Sequence, residues 1–237
     1  MSAGLLDCPS LVRRFWPRVV PRMTHAMHKG SCGRIAVVGG SLDYSGAPYF
    51  AAISAMHAGA DLAYVLCPPE AALAIKAYSP DLCVRPLLSD DAIDECLRVV
   101  SSCHAVVIGP GVGDGTEAMR ERLLPAVVRH TRECGIPLVV DTSVMAFPAV
   151  LARLRAHAAP PPANSGAGTD ASPVYLTPNG REILLLAEAA VGADAAQRFT
   201  KGDIEAKRAV VAATAQAVRA VVALKGYEDF VVDGWTG

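Results

Sequence analysis

The chain has 237 residues, of which 52% are hydrophobic, with a positive mean hydropathy and a formal net charge of −1. That length and apolar content bury a large core and suit a parallel sheet, which excludes a disordered chain. The near-zero charge offers no field to gather DNA, RNA or an anionic membrane, and no apolar run reaches the roughly 20 residues that span a bilayer.

The first 42 residues carry Arg13, Arg14, Arg18, Arg22, Lys29 and Arg34 against Asp7 alone. Such a bias fits a mitochondrial transit peptide, but Pro17 and Pro21 interrupt any amphipathic helix there. A docked N-terminal segment of a cytoplasmic protein is therefore favoured over the alternative, a cleaved mitochondrial leader. His25 and His28 stand at i, i+3 without a third ligand and read as surface residues.

"RIAVVGG" reads as a buried strand closed by two glycines, and "GAPYFAAISAMHAG" as a helix ended by Gly59. "LAYVLCP" is a strand, "EAALAIKAY" a helix and "DLCVRPL" a short strand. "DDAIDECLRVVSS" has a helical period with an acidic first turn that suits the helix dipole. "HAVVIGPGVG" runs from a strand into a glycine loop. "TEAMRERLLPAVVRHTRECG" is a long helix with a kink or break expected at Pro125, and "IPLVVD" is a strand ending in an acid. Residues 155–173, rich in Pro, Ala, Gly and Ser, read as a flexible and dispensable insertion, after which "VYLTPNGREILLL" resumes the pattern. The chain closes on "VALKGYEDFVVDG", two strand-like runs around a charged turn.

Alternating strands and helices call for one α/β domain, a parallel sheet with helices on both faces. Ligands bind such sheets beyond the carboxyl ends of the strands. Gly39-Gly40, Gly109 to Gly113, Asp141, Asn179 and Lys225 all fall at strand ends and are expected along one edge. The seven cysteines, Cys8, Cys32, Cys67, Cys83, Cys96, Cys103 and Cys134, show no C-x-x-C spacing and read as reduced, buried small hydrophobes.

Each candidate has a plain structural reading beside the functional one. In "VVGGSLDYSGAP" the amides of Gly39 and Gly40 approach a ligand, or the stretch is a tight turn. In "GPGVG" Pro110 stiffens the loop while Gly111 and Gly113 take positive φ and leave room for a ligand, or the loop is an ordinary glycine turn. Asp141 binds a ribose hydroxyl or a metal-bound water, or caps the next helix through Thr142 or Ser143, the better-supported reading. Asn179 and Glu182 form a capping box, face a magnesium-phosphate cluster, or both.

Taken together, "MHKGSCGRIAVVGGSLDYSGAPYFAAISAMHAGADLAYVLC", "IKAYSPDL", "HAVVIGPGVG", "LTPNGRE" and "LKGYEDFVVDG" resemble, in order, the eukaryotic ATP-dependent (S)-NAD(P)H-hydrate dehydratases of the ribokinase-like superfamily. The resemblance spans about residues 20 to 234 apart from the insertion. It implies a single ribokinase-like domain, a three-layer α/β/α fold with a mostly parallel central sheet. It also implies ATP as co-substrate, Mg2+ as cofactor, NADHX and NADPHX as substrates and no nucleic-acid or membrane partner; a homo-oligomer is compatible with it. By resemblance, Ala47, Gly111 and Gly113 line the hydrate pocket. Asn179, Gly180, Arg181, Glu182, Ile183, Leu184 and Leu185 form another wall. Asn179 and Glu182 serve magnesium-phosphate indirectly, and Lys225, Gly226, Tyr227, Glu228 and Asp229 bind ATP.

Two departures qualify that resemblance. The chain reads "DTSVM" where the family reads "DADGL". The family also continues into a G-x-G-D loop that supplies the anion hole and the catalytic aspartate, and this sequence stops at Gly237. A C-terminally truncated domain is thus expected, its sheet incomplete, which binds hydrate measurably, binds ATP poorly and releases no phosphate above background. Asp141 is expected to be no substitute base, because it ends a different strand and lacks a phosphate-cradling glycine loop beside it. The alternatives are a catalytically inactive nucleotide-binding protein and another ribokinase-like small-molecule kinase, the latter disfavoured by "YSGAPYFAA".

Overall fold

The β-branched run Arg34–Val38 forms strand β1 at the middle of a parallel sheet, with Ala36, Val37 and Val38 fully buried. The computed structural model describes residues 23–156 and 173–235, with Pro9, Arg13 and Val20 as isolated positions. Most of residues 1–22 of the expected N-terminal segment, and residues 157–172 of the expected insertion, therefore lie outside the described residues. Arg155 and Ala156 belong to a helix, so the regular structure runs two residues into the span expected to be irregular.

The other strands are β2, Leu62–Leu66; β3, Cys83–Arg85; β4, Ala105–Ile108; β5, Leu138–Val140; β6, Val174–Leu176; β7, Val221–Leu224; and β8, Phe230–Asp233. They join one sheet in the order β3-β2-β1-β4-β5-β6-β7-β8. All pairings are parallel except β7 with β8, a hairpin in which Leu224 faces Phe230. The order reverses between β1 and β4, which opens a crevice at their carboxyl ends.

Helices α1, Gly46–His57, and α2, Pro69–Tyr78, pack on one face. Their Ala52, Ala71 and Ile75 meet Val37, Val65 and Val84. The opposite face carries α3, Ile93–Ser101; α4, Leu124–Glu133; α5, Pro148–Ala156; α6, Gly180–Ala190; and α8, Ile204–Val218. There Val38, Ile108, Val140 and Leu176 meet Val100, Val128, Val150 and Ile183. Alternation along β1, Val37 to one face and Val38 to the other, separates the two cores. Helix α7, Ala193–Lys201, packs on α6 and α8. The face that carries α1 and α2 stays open toward the hairpin, where Tyr175 is 39% and Val231 is 72% exposed.

The break expected at Pro125 is a π-turn over Met119–Leu123 leading into α4. Helical backbone runs unbroken from Glu117 through the π-turn into α4, so the π-turn lies just ahead of Pro125, whose missing N–H removes one helical bond. The helix expected from "DDAIDECLRVVSS" begins as a 3₁₀ turn, Asp90–Ala92, before α3. No described helix is long and apolar enough to cross a membrane.

Candidate functional site

A cavity of about 540 Å³ opens at the switch point between β1 and β4. Tyr44 and Ala47 reach it from the β1–α1 connection, and Gly111, Gly113 and Asp114 from the loop after β4. Thr142 and Ser143 reach it from the end of β5, and Asn179, Arg181, Glu182 and Leu185 from the start of α6. Seven residues expected there by resemblance thus share one cavity.

The three loops interlock through glycines. A Cβ on Gly111 would stand 2.3 Å from the Tyr44 carbonyl oxygen and 2.9 Å from Pro48 Cδ, and the residue has φ +73°. A Cβ on Gly109 would stand 2.0 Å from the carbonyl oxygen of Asp141. The side of Gly111 where a Cβ would stand is filled by protein backbone, while the residue still lines the cavity. Gly113 meets only the ring of Tyr44, at 3.5 Å. The amides of Gly39 and Gly40 are also spent internally, donating to Leu66 O and Pro110 O at 3.0 and 2.8 Å. The tight-turn reading holds there.

Asn179 caps α6. Its Oδ1 accepts from the amides of Arg181 and Glu182 at 2.9 and 3.0 Å, and Glu182 Oε2 accepts from Asn179 N at 2.9 Å. Both halves of the capping box are made, and both residues also line the cavity. Ile183 is fully buried in the core, so it supports this wall from behind and does not line the cavity. A helix presents about half its residues to any one side, and Leu184, likewise, is not among the lining residues. Gly180 instead faces a second cavity of about 410 Å³.

That second cavity is lined by Lys225, Gly226, Tyr227 and Glu228 of the β7–β8 turn, with Phe199, Ile204 and Lys207. Asp229 does not line it; its Oδ1 accepts from Gly226 N at 2.9 Å and so shapes the turn. Tyr227 is fully exposed.

Asp141 directly precedes Thr142, which lines the first cavity, and binds Lys225, which lines the second. Its Oδ1 accepts from Thr177 Oγ1 at 2.7 Å and from Lys225 Nζ at 2.8 Å. It makes no side-chain cap to the 3₁₀ turn Thr142–Ala146 that follows, so the capping reading is corrected. The loop that begins at Gly109 packs against its carbonyl oxygen. Thr142 has φ +65°, a strained backbone for a β-branched residue, and its Oγ1 donates to Gly109 O at 3.1 Å. Tyr44, Asp114, Thr142, Ser143 and Thr177 were not among the expected site residues. Tyr44 and Thr177 open the quoted motifs "YSGAP" and "TPNGRE", Thr142 and Ser143 lie in "DTSVM", and Asp114 directly follows "GPGVG".

The cysteines divide. Cys67, Cys96 and Cys103 are buried, Cys32 and Cys83 half-buried, and Cys134 exposed, which corrects the uniform reading. Burial pushes the Cys96 thiol up to about 12, and burial aided by Glu70 pushes Cys67 up to about 11. His25 and His28 are exposed.

The model of one protein family, described as NAD(P)H-hydrate dehydratase, matches residues 35–235, which includes both cavities and the Asp141 bridge. The chain belongs to the NAD(P)H-hydrate dehydratase family. An ATP-dependent (S)-NAD(P)H-hydrate dehydratase of Ixodes scapularis is 38% identical over 216 residues, covering 91% of this chain and 61% of the relative. The chain thus spans about three fifths of that relative's length. A ribokinase-like superfamily protein from Enterococcus faecalis aligns with a TM-score of 0.63 at 17% identity, covering 90% of this chain and 64% of that one. The ADP/ATP-dependent NAD(P)H-hydrate dehydratase of Bacillus subtilis, co-crystallised with ATP and Mg2+, aligns at 0.59 with 19% identity, covering 90% and 65%. These likenesses give the fold as ribokinase-like α/β, as the family's motifs imply.

Proposed function

We propose that this member of the family carries out the ATP-dependent dehydration of (S)-NADHX and (S)-NADPHX to NADH and NADPH. The observation that carries this reading is the single cavity that gathers Ala47, Gly111, Gly113, Asn179, Arg181, Glu182 and Leu185. The hydrated nicotinamide ring occupies it, with ATP in the adjoining cavity beside the β7–β8 turn. The γ-phosphoryl group passes to the ring hydroxyl, whose proton is lost, and ADP departs. The C–O bond then breaks with phosphate as leaving group, a proton leaves the neighbouring ring carbon and the double bond returns. Phosphorylation turns a poor leaving group, hydroxide, into a good one. Catalysis of the transfer rests on positioning and charge neutralisation.

Magnesium fits one side of the site. Both acceptor positions of Asn179 Oδ1 are taken by backbone amides, which leaves none for a cation. Glu182 spends Oε2 on the cap, and Oε1 has no hydrogen-bond partner among the described residues. Glu182 therefore would hold a hydrated Mg2+ through water, a mode that suits a hard cation keeping several waters. The ion supplies charge neutralisation on the phosphates.

The test is to give the purified chain NADHX and ATP and follow NADH absorbance and phosphate release together. Any NADH that forms is expected to be matched by an equal, ATP-dependent yield of phosphate. Phosphorylation of a small alcohol such as a hydroxymethylpyrimidine, with NADHX untouched, would move the protein to the small-molecule kinases.

A further inference from the structure

We infer that Asp141 is a positioning residue that presents Lys225 to the polyphosphate of the nucleotide, an inference that rests on the proposed ATP site. Three observations converge on it. The carboxylate is held by a neighbour, since Oδ1 accepts from Thr177 Oγ1 at 2.7 Å as well as from Lys225 Nζ at 2.8 Å. The backbone around it is also held, since Asp141 N donates to Ile108 O at 2.9 Å and its own carbonyl abuts Gly109. Thr142 keeps a left-handed backbone just beyond it, a conformation that persists only where surroundings over-determine it.

Lys225 is anchored at its other end, where its amide donates to Pro178 O at 2.8 Å. Its side chain is 52% exposed and its residue lines the second cavity. A lysine stem is flexible, and a half-exposed ammonium samples many rotamers unless an anion fixes it. Asp141 supplies that anion, tying Lys225 of the second cavity to the strand end whose next residue, Thr142, lines the first. An ammonium has three donors, so one bond to Asp141 leaves others for phosphate oxygens. The carboxylate thus sets the distance between the nucleotide's phosphates and the hydrate pocket, which Thr142 and Ser143 line directly after it in the chain.

The test is calorimetric titration of the whole chain with MgADP and, separately, with adenosine, which carries no phosphate. Asp141→Asn keeps the shape and an acceptor for Thr177 but removes the charge. It is expected to weaken ADP by about tenfold, the size of one lost charge-assisted hydrogen bond, with adenosine unchanged. Lys225→Met should give the same pattern, and the double variant should lose no more than Lys225→Met alone. Thr177→Val, which loosens the carboxylate but keeps its charge, should weaken ADP by a smaller factor and covers the case in which Asp141→Asn does not fold. Wild-type affinity for ADP in a folded Asp141→Asn variant, or tighter binding, overturns the inference alone. So does a parallel loss of ADP and adenosine, which marks general loosening. A wild-type chain that binds neither ligand overturns the ATP-site reading, and this inference with it.

Discussion

Thr142 donates from Oγ1 to the carbonyl of Gly109 at 3.1 Å while holding its own backbone at φ +65°. The bond and the strain oppose each other, and both belong to the rim of the larger cavity. Thr142→Ala removes the bond and keeps most of the left-handed cost; Thr142→Gly removes both. The glycine variant should therefore be more stable than the alanine variant by about 1 kcal/mol, read from urea midpoints at equal slope. Equal stability, or an alanine advantage, would show that the backbone at this position carries no strain.

Gly111 and Gly113 have similar positive φ, +73° and +62°, but different neighbours. An added Cβ at Gly111 meets the Tyr44 carbonyl oxygen at 2.3 Å, whereas at Gly113 it meets only a ring at 3.5 Å. Gly113→Ala should cost roughly 1 kcal/mol from backbone strain alone. Gly111→Ala should cost about 2–4 kcal/mol, strain plus displacement of the β1–α1 connection. Thermal melts of the two variants in parallel check the order, and a reversed order would mean that the loops are not interlocked as described.

The capping box separates structure from chemistry at the start of α6. Asn179→Ala should cost about 1 kcal/mol, because two amides lose their acceptor. Glu182→Gln leaves stability nearly unchanged, since glutamine at the third helical position still reaches the Asn179 amide. In a chain extended with the family's G-x-G-D loop, turnover of NADHX with MgATP should nevertheless fall by roughly tenfold or more, because the side chain offered to the hydrated cation has lost its charge. If stability drops while turnover per folded molecule holds, Glu182 is a cap and nothing more.

Alkaline stability should follow the buried thiols. The ordinary thiol value is 9.0, and in the folded protein Cys96 rises to about 12 and Cys67 to about 11. Between these limits the unfolded chain has released protons that the native chain retains, so stability falls as pH rises. The contribution is fully present below pH 9.0 and is lost progressively as pH climbs toward the folded values. Urea midpoints at about pH 8 and about pH 10.5 should therefore differ, and by less in Cys96→Ala. Exposed Cys134 should be the first of the described cysteines to be alkylated by iodoacetamide under native conditions.

What the sequence determined by itself was local or carried by motif. Apolar runs such as "RIAVV" and "HAVVI" marked buried strands because a strand covered on both faces needs no alternation. The spacing of Asn179 and Glu182 marked a capping box because cap and third residue meet within one turn. The ordered motifs pointed to the family and to seven residues of one cavity. What only the tertiary structure decided depends on contacts far apart in the chain. Asp141 meets Thr177, 36 residues on, and Lys225, 84 residues on, so no window around "PLVVD" could tell a clamp from a cap. The glycines of "GPGVG" looked like room for a ligand; only the fold shows that Gly111 is also pressed by Tyr44 from another loop. Helices α7 and α8 had no assigned role because their sequence carries no family motif, yet Phe199, Ile204 and Lys207 line the second cavity. Side-chain chemistry and short-range geometry are written in sequence; which loops crowd one another is set by the strand order, and that emerges only when the sheet closes.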